Sequence, residues 1–132
     1  RKALLEGIEH TKANTRMTLV LALNYSGKWD LAQAAQRLGQ QVKDGQISPE
    51  DISQEAVANA LSTSGMPDPE LLIRTSGEAR ISNFLLWQIA YTELYFTPVF
   101  WPDFRKGDLY TAILDYQNRE RRFGKISEQV IS

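Results

Sequence analysis

The chain has 132 residues, 42% hydrophobic and 23% charged, with 8 Gly and 5 Pro; this fits one globular domain and excludes a collagen-like or wholly disordered chain. Fifteen Lys and Arg against sixteen Asp and Glu leave a formal charge of −1, so whole-chain electrostatics argue against nucleic-acid binding. The absence of Cys excludes a disulfide scaffold, a zinc ribbon and a cysteine nucleophile and fits a reducing, cytoplasmic setting, and no apolar run approaches the roughly 18 residues that span a bilayer.

Residues 1–14 are polar, with Leu4, Leu5 and Ile8 on one helical face, and read as the last turns of a helix. The chain opens at Arg1, with neither Met nor the apolar core of a signal peptide, which predicts a piece of something longer. Met17 to Leu23 is a continuous apolar run of strand length, expected to be buried on both faces of a parallel sheet. It ends at the turn Asn24-Tyr25-Ser26-Gly27. Asp30 is then the expected cap of a helix with the stripe Leu31, Ala34, Ala35, Leu38 and Val42, closing at Asp44-Gly45.

Ser48-Pro49-Glu50 and Ser53-Gln54-Glu55 both resemble helix starts, the second leading into residues 56–61, and Ser62 to Pro69 is a loop by composition. Leu71-Leu72-Ile73 reads as a short buried strand stopping at the polar segment Arg74 to Arg80. Ser82 is expected to cap a mostly buried helix containing Phe84, Leu85, Trp87, Gln88 and Ala90. Leu94-Tyr95-Phe96 is a third candidate strand, and Pro98 and Pro102 frame a turn-rich connection. Leu109, Ile113, Tyr116 and Phe123 then repeat at helical spacing, before a tail from Lys125. Strands alternating with helices give an α/β class with a mainly parallel sheet flanked by helices, and two or three strands imply that some sheet partners are missing.

The chemistry open to these residues is narrow. His10 is the only histidine and sits in a charged helix, leaving a Ser-His-Asp triad or a histidine metal site poorly supplied. Neither the G-x-G-x-x-G nor the G-x-x-x-x-G-K-[ST] fingerprint is present. The segment Arg74 to Asn83, in contrast, lies where an open α/β sheet places its ligand, after a strand's carboxyl end. Arg74 and Arg80 offer forked donors, Thr75, Ser76 and Ser82 offer hydroxyls, Gly77 permits close approach, and the expected helix adds its free N–H groups. A diphosphate would satisfy them; so would a plain surface arrangement in which Glu78 pairs with Arg74 or Arg80.

Glu93 stands in an otherwise apolar and aromatic stretch, and a buried carboxylate needs a partner, either a hard cation such as Mg2+ or an Arg side chain. Trp87, Tyr91, Tyr95, Phe96, Phe100, Trp101 and Phe104 fit a core or subunit interface, with an apolar tunnel as the rival use. Basic charge brackets an acidic middle: residues 44–70 carry six Asp or Glu and no Lys or Arg, whereas Arg119 to Gly124 forms a basic cluster at a helix end, suited to solvent or to a phosphate.

The run Leu72 to Glu78, continuing through Arg80-Ile81-Ser82-Asn83-Phe84-Leu85-Leu86-Trp87-Gln88, with Glu93-Leu94-Tyr95-Phe96 and Trp101-Pro102, closely resembles the C-terminal signature of the cis-prenyltransferases, in particular the bacterial undecaprenyl diphosphate synthases. Asn24 to Asp30 is similar to that family's Asn-Tyr-Gly-Gly-Arg turn, with Ser26 and Lys28 as departures, and Arg119 to Gly124 resembles its Arg-rich end. The resemblance implies a transferase condensing isopentenyl diphosphate with an allylic diphosphate such as farnesyl diphosphate, making a polyprenyl carrier lipid. It implies that Arg74, Arg80 and Ser82, with Ile81 between them, hold isopentenyl diphosphate, and that Glu93 helps hold Mg2+ in the neighbouring subunit's site of a homodimer. The lipid product implies peripheral contact with a membrane. The family's Asp-Gly-Asn-Gly-Arg-Trp-Ala segment, with its Mg2+-binding Asp, is not among the 132 residues. The expectation is therefore a single α/β unit over residues 1–132 that forms the C-terminal part of a prenyltransferase domain, lacks that domain's N-terminal part, carries the isopentenyl diphosphate half-site and is inactive alone. The alternative from another class is a non-enzymatic α/β dimerisation or anion-binding module.

Overall fold

A computed structural model describes residues 2–119. Helix α1 spans Lys2–Thr11 and buries none of its residues. Helix α2, Gly27–Lys43, begins at Ser26, whose Oγ accepts the Trp29 N–H at 3.3 Å. It ends in a Schellman turn: Gly45, at φ 68°, donates to the Val42 carbonyl at 3.0 Å and Gln46 to that of Gln41 at 2.9 Å. After a 3-10 turn at Pro49–Asp51, helix α3, Gln54–Ala60, is capped by Ser53 and packs on α2, with Ala34, Leu38 and Leu61 buried. Arg37 closes the pair by donating to the Ala60 carbonyl at the end of α3.

Strands β1, Leu71–Arg74, and β2, Glu93–Phe96, form a two-stranded parallel sheet in the register Leu71↔Glu93 to Arg74↔Phe96. A second 3-10 turn, Trp101–Asp103, leads into helix α4, Lys106–Gln117, which packs on β2 and buries Ala112. The α/β class and the parallel pairing are as the alternation of elements predicts.

Three expectations are corrected. The run Met17 to Leu23 forms no strand: it pairs with neither β1 nor β2 and is exposed, Met17 at 79% and Leu19 at 74%. Apolar composition supplies only a face to bury, whereas a strand also needs a neighbour for its backbone groups. Asp30 does not cap α2, because Ser26 does; Asp30 lies inside the first turn and is fully buried. Ser82 starts no helix, since residues 82–91 run as consecutive turns, with Ser82, Asn83 and Leu85 at φ 48°, 64° and 47°. Those left-handed residues break the right-handed repeat that the wide apolar arc suggested. Phe123 and the cluster after Arg119 lie outside the described residues.

Candidate functional site

The loop that leaves β1 is held by the loop that leaves β2. Thr97 N–H donates to the Arg74 carbonyl at 2.9 Å, Ser76 N–H to Val99 at 2.8 Å and Gly77 N–H to Thr97 at 2.9 Å. Ser76 and Gly77 both sit at φ 71°, so the chain turns back sharply just beyond Arg74. This brings Arg74 and Arg80 onto one carboxylate: an Nη2 of each donates to Glu78, one to each oxygen. The Arg74 hydrogen bond, helped by the charges of both guanidiniums against partial desolvation, holds the Glu78 carboxyl below its ordinary value. Arg74 Nε is buried and has no hydrogen-bond partner among the described residues.

Ile81 is half-buried and Ser82 exposed on the same loop. The amides expected from a helix after Ser82 are not supplied, since no helix forms there. Of the two readings of this loop, the ion pair is the one formed, and it gathers the same two guanidiniums that an anion would need.

Glu93 is paired with an Arg side chain. Its carboxylate accepts from Arg119 Nη1 at 3.0 Å, while Arg119 also donates to Asp115 at 2.8 Å and to the Leu94 carbonyl at 2.9 Å. The Glu93 bond, more than those to Asp115, raises the Arg119 pKa and outweighs burial. Glu93 opens β2 opposite Leu71, whereas Arg74 lies opposite Phe96, so the two are about 10 Å apart along the sheet at roughly 3.3 Å per residue. Glu93 is thus not brought to the arginine loop of its own chain. Among the described residues no three His, Asp or Glu side chains form a metal-binding group, so the oxygen-rich shell of Mg2+ is not assembled by them.

Four residues to which the sequence assigned no individual role in the site shape the region: Asp30, Tyr25, Gln88 and Asn83. Asp30 accepts from Ser62 N–H at 3.0 Å, Ser62 Oγ at 2.9 Å and Tyr25 Oη at 3.2 Å. Burial first, then the Asp30 charge and hydrogen bond, raise the Tyr25 pKa, with Gln88 partly opposing them. Tyr25 also meets Phe84 edge to face, ring centres 5.7 Å apart. Tyr25, Phe84 and Gln88 line an apolar cleft of about 330 Å³ with Met66, Pro67 and Leu85. The signal for Asp30 was available, because it shares the spacing of the buried Ala34 and Leu38.

None of the seven aromatics singled out from sequence lines that cleft. Trp87 lines a separate hollow of about 90 Å³, and Tyr91, Phe100 and Trp101 are exposed, Trp101 stacking on Phe104 at 6.2 Å. The fourth residue is Asn83, which joins the Arg80 loop to the start of α2: it donates to Ser26 Oγ at 2.8 Å and accepts from Lys28 N–H at 2.9 Å.

The profile of the family described as "Putative undecaprenyl diphosphate synthase" matches residues 1–124. This chain belongs to that prenyltransferase family. An isoprenyl transferase of Porphyromonas gingivalis is 55% identical over 98% of this chain and 51% of its own length. A ditrans,polycis-undecaprenyl-diphosphate synthase of Vibrio vulnificus, (2E,6E)-farnesyl-diphosphate specific, is 54% identical over 98% of this chain and 52% of its own. The chain therefore spans about half the length of these relatives. Among solved structures, lavandulyl diphosphate synthase of Lavandula x intermedia, in complex with dimethylallyl diphosphate, superposes with a TM-score of 0.86 at 39% identity, over 95% of this chain and 56% of that one.

Proposed function

We propose that this chain is the part of a cis-prenyltransferase that binds isopentenyl diphosphate, the nucleophile added to an allylic diphosphate such as farnesyl diphosphate to build a polyprenyl carrier lipid. The observation that carries the reading is the loop Arg74 to Arg80: two guanidiniums converge on a single carboxylate, and Arg74 Nε is buried with no acceptor among the described residues. A diphosphate displaces Glu78, takes both forks and offers Arg74 Nε the acceptor it lacks. Each charge-assisted bond contributes about 1.5 to 3 kcal/mol, so the four bonds of two bidentate forks contribute about 6 to 12 kcal/mol, a range that includes the roughly 8 kcal/mol of micromolar capture. Ser82 adds a hydroxyl and Ile81 the surface beside it.

In the condensation the allylic C–O bond breaks, diphosphate departs, the isopentenyl double bond forms the new C–C bond, and a proton is lost. Arg74 and Arg80 hold the nucleophile's headgroup in place, and such positioning and electrostatic stabilisation carry most of the rate. Mg2+ enters the reading only through Glu93, as one oxygen ligand given to a neighbouring subunit of a homodimer in exchange for Arg119. The described residues do not make the metal site on their own.

On this reading the 132-residue chain carries the isopentenyl diphosphate half of the active site and is expected to give no turnover when isolated. The reading places the whole protein in the cytoplasm, with peripheral membrane contact through its lipid product. Among the described residues no helix is long and apolar enough to cross a membrane. The test is steady-state condensation of farnesyl and isopentenyl diphosphates by the full-length protein and its Arg80→Ala variant. The KM for isopentenyl diphosphate is expected to rise by about tenfold or more, the loss of one charge-assisted bond. An unchanged KM in a folded variant removes Arg80 from the site.

A further inference from the structure

The segment carrying Arg80 and Ser82 is not a regular element, and its backbone is costly to hold. Ser82, Asn83 and Leu85 all have positive φ, at 48°, 64° and 47°, and such residues persist only where the surroundings over-determine them. The surroundings here are the first turn of α2, some 55 residues earlier in the chain. The Asn83 carbonyl accepts the Gly27 N–H at 2.8 Å, Asn83 Oδ1 accepts the Lys28 N–H at 2.9 Å, and Asn83 Nδ2 donates to Ser26 Oγ at 2.8 Å. Ser26 Oγ in turn accepts the Trp29 N–H at 3.3 Å. Two amides that a helix start leaves unpaired, those of Gly27 and Lys28, are thus satisfied across the joint, and a third, that of Trp29, by the Ser26 hydroxyl to which Asn83 donates.

The contact is also sterically selective. A Cβ on Gly27 would stand 2.9 Å from Leu86 Cγ and 3.0 Å from the Asn83 carbonyl oxygen, so only glycine lets the two segments close. Asn83 suits its post twice over, since Asn tolerates the left-handed region and its amide carries both an acceptor for Lys28 and a donor for Ser26.

We infer that Asn83 is a positioning residue for isopentenyl diphosphate: by clasping the start of α2 it fixes the strained turn that aims Arg80 and Ser82, and it makes the site depend on the Tyr25 end of the cleft. This rests on the function proposed above, so the experiment includes a control for that reading.

In the full-length protein, KM values for isopentenyl and for the allylic diphosphate are measured for Asn83→Ala, Asn83→Asp, Ser26→Ala and Arg80→Ala. Asn83→Ala is expected to raise the isopentenyl diphosphate KM about tenfold, the loss of two side-chain hydrogen bonds, and the allylic KM by less than about twofold. Asn83→Asp keeps the acceptor for Lys28 and can accept the Ser26 hydroxyl, so it restores the KM to within about threefold of the parent. Ser26→Ala, which spares the strained turn itself, raises the same KM by a smaller factor and serves if Asn83→Ala does not fold. Parallel rises in both KM values, no rescue by Asp, or a folded Asn83→Ala with unchanged KM overturns the clasp. If Arg80→Ala also leaves KM unchanged, the reading of the site has failed; if Arg80→Ala raises it and the clasp variants do not, only the clasp has.

Discussion

Asp30 is the residue on which the chain's interior polar chemistry turns. Its carboxylate is fully buried and takes hydrogen bonds from a backbone N–H and two hydroxyls, joining α2, the loop at Ser62 and the Tyr25 turn. Removing it takes away the charged acceptor of three hydrogen bonds, so Asp30→Ala is expected to cost about 1.5 to 3 kcal/mol. Asp30→Asn, which keeps the acceptor for Ser62 N–H, costs less. Urea unfolding of the two variants checks the order, and equal midpoints with the parent contradict it. Asp30 lies four residues before Ala34 on the face the helix buries, but a lone Asp near a helix start reads as a cap until Ser26 is known to hold that post. Arg74, Arg80 and Glu78 were legible because charged residues packed into seven positions after a strand have few ways to avoid one another. Asn83 was not, since its value lies in contacts 55 and 57 residues distant.

At the scale of elements, the two parallel strands, α2 and the start of α3 announced themselves through local signals: a short apolar run, a stripe with a Gly stop, and a Ser cap. The segment after Ser82 did not, because an apolar arc is equally compatible with a helix and with packed turns, and nothing in Ser82 or Leu85 signals a positive φ. Where that segment meets α2 the fit is tight, so Gly27→Ala is expected to destabilise by about 1 to 3 kcal/mol, the usual range for overpacking; a neutral change in thermal unfolding contradicts the close approach.

The loop after β1 carries a pH dependence. Glu78 is held below its ordinary pKa when folded, chiefly by Arg74, so its contribution is present above the unfolded value and lost as pH falls through the folded one. The stability difference between the parent and Glu78→Gln is expected to be full at pH 7 and to shrink on acidification below the ordinary glutamate value of about 4.3. A difference that stays constant between those limits excludes the ion pair as its source.

For the molecule as a whole, the telling feature is how much apolar surface faces outward. Met17, Leu19, Val20, Leu21 and Leu23 are all more than half exposed, as are Tyr91, Phe100 and Trp101, an amount that marks surfaces made to be covered. The run Met17 to Leu23 has the composition of a central strand without strand neighbours, which is why composition alone misjudged its conformation. The 132-residue chain is accordingly expected to self-associate, with a sedimentation coefficient that climbs with concentration. A clean monomer at high concentration contradicts this.

The central claim is that the arginine loop is an isopentenyl diphosphate site rather than a surface ion-pair cluster. Calorimetric titration of isopentenyl diphosphate into the full-length protein, and into its Arg74→Ala variant, tests it most directly. The account predicts saturable binding weakened by about tenfold or more in the variant, as expected for a lost guanidinium anchor. An equal affinity for the two folded proteins would place the diphosphate elsewhere and leave the loop a salt bridge.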